Sequence, residues 1–186
     1  MKVGLKIGVA AVLLMAVAAS VFWFAAPIRS TTTVTMPSEA PLPEDAVIDR
    51  LVVHKSKRTM SAYSQGRLLK TYPISLGKQP VGHKQFEGDG KTPEGKYRIN
   101  DRNPNSAYHK NLGVSYPNEA DKAYAAAQGK SPGGLIKIHG IKNGCGSIGK
   151  KHLQRDWTDG CIAVTDEEID ELYRSVKHNA EIEILP

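Results

Sequence analysis

The chain has 186 residues, 40% hydrophobic and 24% charged, with a formal charge of +6. These are globular proportions, with room for one ordinary domain and an appendage. The charge favours an acidic partner, but the densest basic cluster, His54-Lys55-Ser56-Lys57-Arg58, is short, lacks interleaved aromatics and reads as a solvated hairpin end, so no nucleic acid is expected.

Lys2 and Lys6 precede an uncharged run, residues 7–28, "IGVAAVLLMAVAASVFWFAAPI". About 20 apolar residues cross a bilayer as a helix. A cleaved signal peptide has a shorter core of about 7–15 residues. Ala16-Val17-Ala18 offers a small-x-small cleavage site, yet Val21-Phe22-Trp23-Phe24 continues the run beyond it. The run has no polar face, which excludes an internal core helix. Residues 1–29 therefore read as a signal anchor, with a cleaved signal peptide as the alternative. The two lysines place the N-terminus in the cytoplasm and export the rest to the periplasmic or extracytoplasmic face. Residues 30–45, "STTTVTMPSEAPLPED", form a Pro/Ser/Thr-rich linker, and one domain follows at 46–186.

From Val47 to Leu76 the pattern is that of an antiparallel meander, with turns at Lys57-Arg58 and Ser64-Gln65-Gly66. A Gly-rich loop leads to a strand at about 96–100. Its Gly90-Lys91-Thr92 resembles the tail of a phosphate-binding loop, but Gln85 stands where the first glycine belongs and Pro93 spoils the helix. Residues 119–130 suggest a short helix and 135–139 a strand ending in His139. Thr165 and Glu168 form a capping box for a helix of about ten residues, with Ile169, Leu172 and Val176 on its buried face. "AEIEIL" closes the domain as a strand with Ile182 and Ile184 inward. The domain is mostly β with short helices.

Two cysteines, Cys145 and Cys161, fall in the last third of the chain. Outside the cytoplasm they could pair, closing a loop of about 16 residues worth about 3 kcal/mol. Alternatively Cys161 is a nucleophile, or a small core residue. Acyl transfer by a cysteine needs thiolate character, a proton shuttle and oxyanion donors. His139, at a strand end before Gly140, is the best shuttle candidate; its bland counterpart is a structural histidine. Gly160 lets a substrate approach the backbone, and amides of Gly160 and Cys161 could hold the oxyanion; otherwise the glycine serves a turn. Thr158 either orients a substrate group or the imidazole, or caps locally. No metal or other cofactor is expected, since the six histidines show no paired ligand spacing.

"IHG" at 138–140 followed by "TDGCIAV" at 158–164 resembles the L,D-transpeptidase catalytic domain, the YkuD family. "VVHKSKRTMSAYSQGRLLKTYPISLG", "GDGKTPEGKYRI" and "DEEIDELY" are similar to the family's opening strands, its Thr-Pro-x-Gly segment and its helix after the cysteine. The resemblance covers residues 46–186 and implies a β-sandwich catalytic domain, exported, acting on peptidoglycan stem peptides. It implies Cys161 as nucleophile, His139 as general base, Gly140 after it, and Thr158 and Gly160 in the turn before the nucleophile. A permanent Cys145–Cys161 disulfide would then abolish activity. The chain departs from the family at Asp159, where a histidine is usual, and at Ala163, where Arg or Asn is common. A carboxylate at Asp159 would raise the thiol pKa. Arg155 or Lys151 is the sequence's substitute for the cation missing at Ala163, with Arg155 and Asp159 taken as substrate-binding candidates.

The implied reaction is a Cys161 thioester at the third residue of a tetrapeptide stem, passed to an amine of another stem or of a wall-anchored lipoprotein. An L,D-carboxypeptidase or endopeptidase is the alternative on the same fold. A catalytically silent wall-binding module is the alternative of another class. A papain-like protease is disfavoured because the cysteine follows the histidine in a short chain.

Overall fold

The computed structural model describes Met1 and residues 40–186. The anchor expected at 7–28 and most of the linker expected at 30–45 lie outside the described residues. Three antiparallel strands open the domain: β1 (Ile48–His54), β2 (Thr59–Ser64) and β3 (Arg67–Pro73). Their tight turns require left-handed backbone, which Arg58 (φ 52°), Gln65 (φ 48°) and Gly66 (φ 79°) adopt. The expected meander is present, but Lys55 is no part of a solvated end. It is 2% exposed, and its ammonium is held by Gly82 O at 2.6 Å, Thr92 O at 2.9 Å and Glu94 Oε1 at 2.8 Å. A lysine is buried only where its charge is paired, and the 82–94 loop supplies the partners.

The next strand, β4 (Gly95–Ser106), runs 12 residues and forms a hairpin with β5 (His109–Val114). Helix α1 (Glu119–Ala127) is capped by Asn118 in a capping box with Asp121. Strand β6 (Lys137–His139) is followed by a 3-10 segment, Gly146–Gln154, kinked at Gly149. Then come the two-residue β7 (Ile162–Ala163), helix α2 (Asp166–Ser175) and β8 (Val176–Leu185).

The eight strands form one sheet in the order β3-β2-β1-β8-β4-β5-β6-β7. Strand β4 carries the turn between its halves: Gly95–Arg98 pair with β8, and the part from Ile99 onward, bulged between Ile99 and Asp101, pairs with β5. Bulges bend a strand and increase its twist. The segment after β3 then meets the far edge, through bridges Ser75–Ala163 and Gly77–Thr158. The mostly β class holds, but the expected sandwich is one sheet curled until its edges meet, because β4 is long and bulged enough to serve both halves.

The core fills the curl, with Leu51, Val53, Met60, Ile99, Leu112, Ile138, Ile162 and Ile182 fully buried. Helix α2 covers it with Ile169 and Leu172, one turn apart on the same face, each worth about 1.5–3 kcal/mol of burial. Both arms of its capping box are made: Glu168 N–H donates to Thr165 Oγ1 at 3.2 Å, and Thr165 N–H to Glu168 Oε2 at 2.9 Å. Packing begins at Leu42, inside the stretch read as linker. Its N–H donates to Glu171 at 2.7 Å, and Glu171 is also held by Lys70 at 2.8 Å and the Tyr72 hydroxyl at 2.5 Å.

Candidate active site

The short parallel pairing of β6 with β7 sets the site. The register aligns Ile138 with Ile162 and His139 with Ala163. One step back, the same register brings Cys161 beside Lys137. Aligned positions of parallel strands point to the same face, and so do alternate positions along one strand. Lys137, His139 and Cys161 therefore share a face, and all three line a cleft of about 410 Å³.

His139 is 6% exposed and packs between aromatic rings, Tyr108 at 4.7 Å and Trp157 at 5.6 Å between centroids. Its Nδ1 lies 2.7 Å from Gly140 O. A carbonyl only accepts, so Nδ1 carries the proton and Nε2 presents a lone pair. Burial pushes the imidazole pKa below its ordinary value, against a smaller opposing pull from the Gly140 carbonyl. The ring is neutral at pH 7 and has the tautomer of a base.

The Cys161 thiol donates to Leu135 O at 3.6 Å. Burial pushes its pKa up; the Lys137 backbone amide and ammonium pull it down, Asp159 adds a push upward, and Lys84 pulls down. The net is a protonated resting thiol, so attack requires that a base take its proton. Both cysteines are free, Cys145 exposed and Cys161 half-buried.

The turn before the cysteine is held from two sides. The Thr158 hydroxyl donates to Cys161 O at 2.7 Å and accepts the Gly160 N–H at 3.2 Å. Gly160 N–H is thus engaged, and the Cys161 N–H is the amide of that pair which Thr158 leaves for an oxyanion. Gly160 has φ +132°, and a β-carbon there would stand 2.7 Å from Lys91 O. A β-carbon at Gly77 would collide with Gly90 O, and the Gly77 N–H donates to the buried Thr92 hydroxyl at 3.0 Å. The Gly90-Lys91-Thr92 segment is a backbone wedge between the end of β3 and the cysteine turn. Below the histidine, Asp166 Oδ1 accepts the Ile141 N–H at 2.7 Å and would stand 2.6 Å from a β-carbon at Gly140.

The cleft gathers Cys161, His139, Thr158 and Asp159. The Asp159 side chain is 88% exposed and paired with Lys78 at 2.8 Å. Arg155 and Lys151 lie elsewhere: they line a second cavity of about 570 Å³ with Cys145 and His152, beyond Trp157. Ala163 is fully buried, bridged to Ser75. Sequence reasoning passed over Lys137, Tyr108, Trp157 and Asn111, which also line the cleft. Asn111 sits opposite His139 on β5, and its Oδ1 is buried without a partner among the described residues.

Residues 48–184 match the family described as the L,D-transpeptidase catalytic domain, YkuD. The chain belongs to this family. This L,D-transpeptidase domain is 34% identical over 130 residues to YafK of Escherichia coli K12, which carries an L,D-transpeptidase name, covering 67% of the chain and 45% of YafK. It is 30% identical over 142 residues to YkuD of Bacillus licheniformis, also named for L,D-transpeptidases, covering 76% of the chain and 68% of that protein. Among solved structures, the helical cell shape determining protein Pgp2 of Campylobacter jejuni superposes with a TM-score of 0.57 at 28% identity, covering 75% of the chain and 48% of Pgp2. Bd1075 of Bdellovibrio bacteriovorus gives a TM-score of 0.50 at 26% identity, over 78% of the chain and 54% of that protein. The chain thus spans about half the length of YafK, Pgp2 and Bd1075.

Proposed function

We propose that the protein is an exported, membrane-anchored cysteine acyltransferase acting on peptidoglycan stem peptides. The observation that carries this reading is the single cleft lined by both His139, in the tautomer of a base, and the protonated Cys161. In the proposed cycle His139 Nε2 takes the thiol proton as sulfur attacks the carbonyl of the third stem residue. The Cys161 N–H holds the oxyanion. His139 returns the proton to the departing amine, leaving a thioester. An amine of a second stem or of a lipoprotein displaces the thiol, forming a 3–3 link or an anchored protein and returning the proton through His139. Family membership and the likeness to a cell-shape protein support a role in wall metabolism and cell shape.

A hydrolase on the same site differs only in the resolving nucleophile, and the open, solvent-facing side chain of Asp159 near the thiol favours keeping it as the second reading. The test is mass spectrometry of the products formed from a purified disaccharide-tetrapeptide, with Cys161→Ala as control. Cross-linked dimer that disappears in the variant is the expected outcome. Tripeptide without dimer means that water resolves the thioester. Wild-type turnover in Cys161→Ala would end both readings.

A further inference from the structure

The family resemblance puts Arg or Asn two residues past the cysteine, whereas Ala163 is buried here and Arg155 and Lys151 open into the other cavity. A cation nevertheless lines the cleft from the neighbouring strand. Lys137 aligns with Cys161 in the β6–β7 register and lines the same cleft. Its ammonium crosses Gly113, where a β-carbon would stand 3.1 Å from Nζ, and is held by Asp101 Oδ2 at 2.7 Å. The Lys137 side chain is 21% exposed and the Asp101 side chain 53%. The Asp101 end of the pair faces solvent, which makes its carboxylate exchangeable. An incoming carboxylate can take the place of Asp101 on the ammonium.

We propose that Lys137 is the carboxylate anchor of this cleft, binding the free C-terminal carboxylate of the residue that leaves when Cys161 attacks. The inference rests on the reading of the site as a stem-peptide acyltransferase. In a tetrapeptide the leaving residue ends in a carboxylate only two bonds beyond its amine nitrogen, so a sulfur poised at the scissile carbonyl has that carboxylate close by. Of the other cations near the thiol, Lys84, 3% exposed, is held by Asp89 at 2.8 Å, and Lys78, paired with Asp159 at 2.8 Å, hangs from the segment after β3 and not from the strand paired with β7. Lys137 is the one that sits on the strand beside the nucleophile. Its role is to select stems that end one residue past the cleaved bond.

The test has two arms, both in the full-length chain carrying Cys145→Ser so that one thiol is read. First, Cys161 is alkylated with iodoacetate and with iodoacetamide, which differ by a carboxylate. The expected ratio of the two rates is about tenfold higher in the parent than in Lys137→Met, with recovery in Lys137→Arg, as for a hydrogen bond to a charged group. Added salt should lower the ratio in the parent alone. Second, kcat and KM are measured for a tetrapeptide stem and its C-terminal carboxamide. The parent should prefer the free acid by about 10- to 100-fold in kcat/KM, and Lys137→Met should not discriminate. An alkylation ratio unchanged by Lys137→Met, or by salt in the parent should that variant not fold, overturns the anchor. So does a parent that turns over acid and amide equally, while leaving the acyltransferase reading intact. A parent that turns over neither stem, yet shows the salt-sensitive alkylation ratio, overturns that reading instead and leaves the anchor for some other carboxylate ligand.

Discussion

Trp157 divides two cavities that hold the same kinds of residue. On one side lie Cys161, His139 and Lys137; on the other lie Cys145, His152, Lys151 and Arg155. Composition does not separate them, but hydrogen bonding does. His152 Nδ1 lies 3.3 Å from the Ser75 hydroxyl, which donates to His152 O at 3.0 Å, and 3.5 Å from the Trp157 indole nitrogen, while its Nε2 is buried with no partner among the described residues. His139 instead has its tautomer fixed by a backbone carbonyl, since its Nδ1 donates to Gly140 O and its Nε2 is left as the acceptor. Burial and the neighbouring His139 push His152 down to about 4, against a weaker pull from Asp166. Chemistry therefore belongs to the side where a backbone carbonyl fixes the base and a parallel strand fixes the thiol. On the other side the histidine steadies the tryptophan wall.

The sharpest way to break this contrast is to remove each thiol. Cys161→Ala should abolish product formation in the stem-peptide assay, whereas Cys145→Ser should leave it near the wild-type rate. Removing the histidines is the next largest step. His139→Ala should lower kcat by about 10²- to 10⁴-fold, the usual cost of a lost general base. His152→Gln should lower it by less than about tenfold, because only the seat of Trp157 is disturbed. Equal losses in the two histidine variants would show that the two sides are not functionally distinct.

Titration sharpens the same contrast. Both histidines are depressed below the ordinary value of 6.5. Activity requires neutral His139, so kcat/KM should hold as pH falls through 6.5 and decline only at more acid pH. For stability, a depressed folded-state pKa means that the unfolded chain binds protons first. The contribution of His152 is fully present above pH 6.5 and is lost as pH falls toward about 4. Urea midpoints measured across that window should fall for the wild type and fall less steeply in His152→Gln, where His139 still contributes. A midpoint that rises as pH falls would contradict the burial argument.

Much of this architecture was written locally. The capping box at Thr165 and Glu168, the turn residues at 57–58 and 64–66, and the inward Ile182 and Ile184 are signals within a few residues of one another, and each sits where expected. Strand β5 was not legible. Its hairpin, "NDRNPNSAYHKNL", is rich in Asn and broken by Pro104, and its pairing depends on bulges and a left-handed His109 at φ 64°. The wedge of Gly77, Gly90 and Gly160 was invisible for another reason: it joins segments some 70 residues apart, and a glycine does not announce what approaches it. Lys137 reads in "GLIKIHG" as the outward position of a period-2 strand. Only the register with β7 shows that this outward face is the floor of the cleft. Lys55 looked solvated because the loop that covers it is distant in sequence.

The smallest expected effect concerns Asp159, the most visible departure from the family. Its carboxylate pushes the Cys161 thiol upward, but it ranks behind burial and behind the pull of Lys137. The side chain is 88% exposed and neutralised by Lys78, so solvent and counter-charge screen its field. Asp159→Asn should make the thiol slightly easier to ionise, raising the iodoacetamide rate at pH 7 by less than about twofold, an increment that disappears at high salt. Removing the carboxylate also releases Lys78, and a freed ammonium beside the cleft acts in the same direction. A rate increase of about tenfold or more would therefore mean that Asp159 lies closer to the sulfur in solution than its pairing with Lys78 allows. It would then restrain the nucleophile until substrate displaces it.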